Sequence, residues 1–266
     1  MLHDSLQCNI INTGFVGGAD LQYILNEVIP YVKKDDIIIL APEYNFFTDK
    51  YNDYNIDALI GLLCMDYSSF YKFTIKQKID VILKGTPELF IRKILYPIAC
   101  LFKINDKIYI NQFNEYGDLT SHLTVPSDFK YKGLNPIPCK IDSSAINVFN
   151  RFKNDVARKH VSVYMSFPPV PDEGYKFDSA RIDKFIKELS KDLSIRIISN
   201  PIDYVYDNKY FFNTKYHLNK DGRELRTKRL LKDIKNSGCN KSNEILSESE
   251  LIFLINNLLV YVSRML

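Results

Sequence analysis

Short unbroken apolar runs alternate with amphipathic segments at the start of the chain. Residues 8–12 form a short apolar run that leads into the glycine-rich turn 13–18, and residues 19–31 carry apolar side chains at helical spacing. Residues 37–41 form a second unbroken apolar run, which Pro42 closes. Unbroken runs are typical of strands that are covered on both faces of a parallel sheet. The pattern therefore predicts a strand–helix–strand unit with parallel strands.

The same alternation returns in the second half of the chain. Helical spacing extends over residues 144–159, 179–192 and 220–234, and short apolar runs at 160–165 and 195–198 lie between these segments. Together with the first half, the pattern gives predicted strands that alternate with helices. We therefore expect an α/β fold built on an open parallel sheet, in a single domain that spans the whole chain.

Two segments depart from the alternation. Residues 49–142 contain stretches with helical spacing and only a short candidate strand, so we predict a mainly helical insertion at the carboxyl edge of the sheet. Such an insertion either covers an active site or forms a packing layer that does not contact substrate. Residues 243–266 are predicted to form a C-terminal helix, because Ser247 and Glu250 are spaced as a capping box.

The amino-acid composition excludes several classes of protein but does not indicate a particular reaction. The 266 residues are 46% hydrophobic and 25% charged, which excludes a disordered or fibrous chain. The net charge of +3 does not support nucleic acid or an anionic membrane as a partner. The five cysteines are scattered and odd in number, so we expect free thiols, no disulfide framework and no metal site. No apolar run reaches the roughly 18 residues that a spanning helix needs, and the first residues do not resemble a signal peptide.

Two segments could carry chemistry. His217 stands in a predicted loop just before a helix that Asn219 could cap. A histidine at the carboxyl edge of a sheet can act as a general base if another group orients its second ring nitrogen, but it can equally be a structural loop residue. The backbone N–H groups of the glycine-rich turn 13–18 could bind an oxyanion or a phosphate, or the turn could only reverse the chain. Its spacing is not that of a dinucleotide-binding loop.

Five segments in order resemble SGNH/GDSL-type hydrolases, in particular the bacterial DltD-like and polysaccharide O-acyltransferase groups. The sequence FFNTKYHLNKDGRELRT at 211–227 is similar to the last motif block of that family. The other segments are NTGFVGG at 12–18, DIIILAPEYNFF at 36–47, FNEYGDLTSH at 113–122 and SFPPV at 166–170. No single segment is specific, but their order is, and the resemblance extends from about residue 5 to residue 234.

The resemblance implies a flavodoxin-like open parallel sheet with a Ser-His-Asp-type site for acyl transfer or ester hydrolysis. His217 aligns with the catalytic base, and Gly17 aligns with the glycine whose N–H helps to form the oxyanion hole. The family's acid aligns with Asn213, an amide that can accept a hydrogen bond from an imidazole but cannot stabilise imidazolium by charge. Asp207 could compensate for this loss. Asn45 is the nearest candidate for the asparagine that many family members use as an oxyanion donor.

The start of the sequence departs from the family pattern. In the family, a central first strand ends in a Gly-Ser pair that carries the nucleophile, and counting back from Ser5 places that serine ahead of Met1. We therefore expect the given sequence to lack the nucleophile and the first strand, and the loss of a central strand would leave a gap in the hydrogen-bond ladder of the sheet. Ser5 itself aligns downstream of the nucleophile.

The resemblance implies an esterase or O-acyltransferase that uses no cofactor and acts on an acylated, cell-surface glycan or another small ester. Without the serine, we expect the given chain to be inactive. Two alternatives stay open: a catalytically degenerate SGNH-fold protein that serves in binding or as a scaffold, and a nucleotide-binding α/β protein that uses the turn 13–18. Relatives often lie at the cell envelope, whereas the given sequence, with no signal or anchor, is expected in the cytoplasm.

Overall fold

The computed structural model of the protein describes residues 5–6, 9–13, 18–85, 87, 120, 123, 129–130, 137–175, 180–238 and 250–255. Its strands are β1 (Asn9–Asn12), β2 (Ile37–Ala41), β3 (Ser162–Met165), β4 (Val170–Pro171), β5 (Arg196–Ile197), β6 (Val205–Tyr206) and β7 (Glu250–Ile255). Its α-helices are α1 (Leu21–Val28), α2 (Ile56–Met65), α3 (Ser69–Lys72), α4 (Ile75–Asp80), α5 (Ser143–Ala157), α6 (Asp172–Tyr175), α7 (Ala180–Asp192) and α8 (Lys220–Asn236). Short 3₁₀ turns cover Ile29–Tyr31, Tyr44–Phe47, Asp49–Asn52, Pro201–Tyr204 and Asn208–Tyr210, and a π-helical turn covers Val81–Gly85.

Within the described residues, one parallel sheet has the strand order β1–β7–β2–β3–β5. In its centre, Ile38 of β2 is paired with Ile252 of β7 on one side and with Val163 of β3 on the other. Strands β4 and β6 form a separate parallel pair. The α/β class and the parallel sheet that the apolar pattern predicts are therefore confirmed.

The two faces of the sheet explain why β2 is an unbroken apolar run. Successive side chains of a strand point to opposite faces. Ile38 and Leu40 lie in the larger hydrophobic core, to which helices α1, α5 and α7 contribute, whereas Ile39 lies in a smaller core with Leu230 and Ile234 of α8. Both faces are covered by helices, so no position on the strand favours a polar side chain.

Strand β7 corrects two expectations. The sequence predicts a helix over residues 243–266, but residues 250–255 form a strand, and the rest of that predicted helix lies outside the described residues. Residues 251–255 are all apolar, so the segment lacks the polar face of a surface helix and is suited to a strand between two others. Because β7 pairs with both β1 and β2, the sheet has no gap between them, and the prediction of a broken ladder is wrong.

The first part of the predicted insertion, residues 49–85, is built mainly of helices and short helical turns, and α3 and the turn Asp49–Asn52 contact α1. The hydroxyl of Tyr23 in α1 donates to Oγ of Ser69 in α3 at 3.2 Å. Asp20 caps α1 by accepting from the backbone N–H of Tyr23 at 2.9 Å, and the side-chain amide of Gln77 in α4 donates to its second oxygen. Burial raises the pKa of Asp20, although these hydrogen bonds act against the shift. The contacts are those of a packing layer on α1, and most of residues 86–142 lie outside the described residues.

Candidate functional site

The loop that precedes α8 is fixed at both ends. Phe211 and Leu218 are buried and form an antiparallel bridge, and the carbonyl of His217 accepts a backbone hydrogen bond across the loop at 2.7 Å. Asn219 caps α8 as the sequence predicts, since its Oδ1 accepts from the backbone N–H of Gly222 at 3.0 Å. The intervening residues 212–217 are therefore held between a buried bridge and the start of a long helix.

His217 and Asn213 form a side-chain pair within this loop. Nδ1 of His217 lies 2.7 Å from Oδ1 of Asn213, and the backbone N–H of His217 donates to Oγ1 of Thr214 at 3.1 Å. Asn213 is exposed and His217 is half-buried. Because an amide oxygen only accepts hydrogen bonds, the contact places a proton on Nδ1 and leaves a lone pair on Nε2. An imidazole in this form can take a proton from a hydroxyl group.

Asp207 caps a short helical turn. Its Oδ1 accepts from the backbone N–H of Lys209 at 2.9 Å, at the start of the 3₁₀ turn Asn208–Tyr210. The ammonium of Lys209 also lies 3.7 Å from its Oδ2. The described contact at Nδ1 of His217 is with the amide oxygen of Asn213.

Residues 43–44, which follow β2, lie close to residues 215–216 of the loop that contains His217. Burial raises the pKa of Glu43 to about 7, and the ammonium of Lys215 opposes this shift. Burial lowers the pKa of Lys215, and the carboxylate of Glu43 acts in the opposite direction. Tyr44 and Tyr216 are both buried, and the pKa of Tyr44 is raised well above its usual value, first by burial and then by Tyr216. The carboxyl end of β2 and the loop therefore share one partly desolvated region.

Asn45 and Gly17 are the two oxyanion candidates from the sequence. Gly17 lies outside the described residues. Asn45 lies in the 3₁₀ turn after β2, and its Oδ1 is buried without a hydrogen-bond partner in the described part of the chain. No hydrogen bond between described residues joins its side chain to His217. The next glycine, Gly18, has φ +116° and its carbonyl accepts from the backbone N–H of Asn55 at 2.7 Å, so this end of the glycine-rich turn packs against the start of α2.

A buried chain of hydroxyl groups, which the sequence did not predict, links the ends of β3 and β5 to α8. Oγ of Ser199 donates to Oγ of Ser166 at 2.7 Å, and Oγ of Ser166 donates to the hydroxyl of Tyr204 at 3.3 Å. The hydroxyl of Tyr204 donates to Oδ2 of Asp233 at 2.9 Å, and Nε of Arg229 donates to Oδ1 of the same carboxylate at 3.0 Å. Ser166 is fully buried, so the chain fixes α8 against the sheet rather than presenting a nucleophile. Its members are far apart in sequence, and although Ser166 belongs to the segment 166–170, the sequence does not indicate that it contacts Ser199 or Tyr204.

The described residues contain no cluster of three or more His, Cys, Asp or Glu side chains that could hold a metal ion. His160 is exposed in the turn before β3 with φ 59°, and Cys139 is an exposed free thiol. Among the helices that the structure describes, none is both long enough and apolar enough to cross a membrane.

Three comparisons with known proteins found no protein similar to this chain. A scan against protein-family models, a search of curated proteins and a search of solved structures each gave no match for the chain.

Proposed function

We propose that this protein is an SGNH-type α/β protein in which the loop 211–219 carries the base of an acyl-transfer site. The family-level reaction is ester hydrolysis or O-acyl transfer, and the substrate class is an acylated glycan at the cell surface. The observation that carries the proposal is the 2.7 Å contact between Nδ1 of His217 and Oδ1 of Asn213. No serine of the given sequence aligns with the family's nucleophile, so we propose that this chain binds the ester without turning it over.

The chemistry of the pair follows from the proton on Nδ1. A hydrogen bond from Nδ1–H to an amide oxygen fixes the ring orientation and the tautomer, which leaves Nε2 to accept a proton from an attacking hydroxyl. An asparagine serves in this position in Cys-His-Asn sites, so an amide is compatible with a general base. It does not offset the positive charge of imidazolium, and a site of this kind is weaker toward a serine hydroxyl than one with a carboxylate.

The surroundings of the pair support a site rather than an isolated loop histidine. Glu43 lies two residues after the end of β2, and its electrostatic interaction with Lys215 indicates that the loop is close to the carboxyl end of a central strand. Ligands of open α/β sheets bind at this edge. The partly desolvated environment strengthens hydrogen bonds to a bound ester carbonyl relative to bulk water.

The alternative is a catalytically degenerate SGNH-fold protein that serves in binding or as a scaffold without recognising an ester. Asn213 favours this alternative, because the amide removes the charge that a working triad places next to its histidine. Both readings predict no turnover by the given chain, so an activity assay alone does not separate them.

Two measurements test the proposal. A fluorophosphonate probe should label no serine in the wild-type chain. Stoichiometric labelling that His217→Ala abolishes would instead establish an active hydrolase and overturn the proposed lack of turnover.

The second measurement follows the ring protons of His217 by NMR during titration with an O-acetylated oligosaccharide and with its deacetylated counterpart. The proposal predicts saturable shifts at His217 with the acetylated compound only. Equal shifts with both compounds, or none with either, would favour the degenerate scaffold.

A further inference from the structure

Arg226 is a buried cation, and two of its three nitrogen atoms have no hydrogen-bond acceptor in the described part of the chain. Its side chain lies on α8, it is 7% exposed, and Nε and Nη2 are both buried without a hydrogen-bond partner in the described part of the chain. Leaving a buried charged group unpaired is energetically unfavourable, so such groups are normally paired with an acceptor. Each unpaired group of this kind in a folded protein calls for an explanation.

Among the residues that the structure describes, no carboxylate forms an ion pair with Arg226. The ring of Tyr204 lies 5.9 Å from its Cζ, and burial lowers the pKa of Arg226 while Tyr204 and Tyr206 oppose the shift. The nearest buried acid on the same helix, Asp233, already accepts from the hydroxyl of Tyr204 and from Arg229. The immediate neighbours of the guanidinium are therefore phenol groups, which are neutral at physiological pH.

The two unpaired nitrogens have a specific geometry. In a guanidinium group, Nε–H and one N–H of Nη2 lie on the same edge of the plane and point in the same direction. This edge matches two oxygens of a carboxylate or a phosphate, which it binds with two parallel hydrogen bonds. The hydroxyl of Tyr206, which lies within electrostatic range of Arg226, is also buried without a partner among the described residues. The hydroxyl of Tyr206 is thus a third donor, close to Nε and Nη2 of Arg226.

We propose that Arg226 is the anchor of a binding site for an oxyanion, a carboxylate or phosphate group of a small ligand, with Tyr206 as an additional donor. The site is on α8 one turn before Leu230, which packs on the sheet with Ile10 and Ile39. It is distinct from the pair formed by His217 and Asn213, and it does not rest on the proposed acyl-transfer chemistry.

The test compares the thermal stability of four proteins in the presence of inorganic phosphate, acetate or chloride at matched ionic strength. The proteins are the wild type, Arg226→Met, Tyr206→Phe and the control Lys228→Met, which changes an exposed cation two residues from Arg226. Ligand that binds only the folded state raises the unfolding temperature in a saturable way.

For the wild type and Lys228→Met, we expect saturable stabilisation by phosphate or acetate at millimolar concentration. In Arg226→Met the affinity should fall at least about tenfold, and in Tyr206→Phe it should fall about threefold, because one charge-assisted fork is stronger than one hydroxyl donor. The more effective of the two anions identifies the oxyanion chemistry. In chloride, Arg226→Met should be at least as stable as the wild type, because the substitution removes a buried unpaired charge.

A second readout follows the same site directly. The Nε–H resonance of Arg226, assigned by its loss in Arg226→Lys, should shift with the anion in proportion to the occupancy of the site. Equal responses of wild type and Arg226→Met, or no anion-specific stabilisation together with an unmoved Nε–H resonance, would overturn the proposal. If Arg226→Met does not fold, the Nε–H resonance of the wild-type protein still tests the proposal, because it is measured without that variant.

Discussion

Nδ1 of His217 and Oδ1 of Asn213 lie 2.7 Å apart on a loop in which the two residues are four positions apart. The contact is local, and the loop is closed by the buried bridge between Phe211 and Leu218. Because the amide of Asn213 is neutral, this contact orients one proton of the imidazole and adds no charge that would stabilise a second one.

Replacing Asn213 with aspartate should convert an orienting pair into a charge-stabilised pair. In Asn213→Asp, a carboxylate next to Nδ1 favours imidazolium, so the pH midpoint of the His217 ring should rise by about one unit. An NMR titration of the imidazole Cε1–H resonance measures this midpoint in both proteins. Asn213→Ser, which removes the amide and adds no charge, is the matched control and should not raise the midpoint. An unchanged midpoint in Asn213→Asp would mean that the two side chains are not in contact in solution.

Glu43 should make the protein less stable as the pH rises through neutrality. Its pKa is about 7 in the folded state against an ordinary value of 4.5, so the folded protein binds more protons than the unfolded chain between these values. The contribution of Glu43 to the free energy of unfolding is present below pH 4.5, falls as the pH rises, and reaches its lower limit above pH 7.

The variant Glu43→Gln removes this titration. By urea denaturation, Glu43→Gln should match the wild type near pH 4 and exceed it at pH 8 by up to about 3 kcal/mol. The exposed Glu224, changed to Gln, serves as the control and should leave the pH profile unaltered. Parallel profiles of wild type and Glu43→Gln would show that Glu43 is ionised normally in the folded protein.

Two glycine-to-alanine substitutions should act in opposite directions. A Cβ at Gly222, in the first turn of α8, would overlap the carbonyl oxygen of Tyr210, whereas a Cβ at Gly61 in α2 meets nothing within 4 Å. Gly222→Ala should therefore destabilise the protein by about 1–3 kcal/mol and shift the resonances of His217. Gly61→Ala should stabilise it by up to about 1 kcal/mol, because alanine loses less conformational entropy in a helix. Equal effects on urea midpoints would contradict the close approach of α8 to Tyr210.

Strand β7 should be essential to the sheet, because β1 and β2 both pair with it. Proline at position 252 lacks a backbone N–H and cannot take part in a central ladder, so Ile252→Pro should destabilise the protein by more than about 3 kcal/mol or prevent folding. Ile252→Val keeps the backbone N–H and the β-branched shape and should destabilise the protein far less than Ile252→Pro does. Circular dichroism with urea titration measures both variants. A wild-type midpoint for Ile252→Pro would place residues 250–255 outside the sheet.

The elements with a clear apolar period could be predicted from the sequence alone. The unbroken run at 37–41 coincides with β2, and the helical spacing at 179–192 predicts α7 to within one residue at its start. In both cases the pattern directly reflects the faces that the element buries. The same applies to the cap of α8 by Asn219, because a capping side chain bonds to a backbone N–H two or three residues ahead.

The features that the sequence does not predict depend on partners that are distant in the chain. Residues 251–255 form a short apolar run, and such a run alone does not distinguish a strand from a buried helix. Pairing with β1 and β2 decides between them. The unpaired donors of Arg226 result from burial, which the basic composition of α8 does not indicate. The contact between Asn213 and His217 is partly predictable. The two residues are close in sequence, but only the closed loop of the folded protein brings their side chains together.

The most direct test of the central claim is the tautomer of neutral His217, measured by long-range ¹H–¹⁵N correlation above the pH midpoint of the ring. We predict a proton on Nδ1 and a bare Nε2 in the wild type, because Oδ1 of Asn213 accepts from Nδ1. Asn213→Ala should lose this preference and populate the Nε2–H form. A wild-type His217 with its proton on Nε2 would contradict the account, because that ring could not serve as the base of the proposed site.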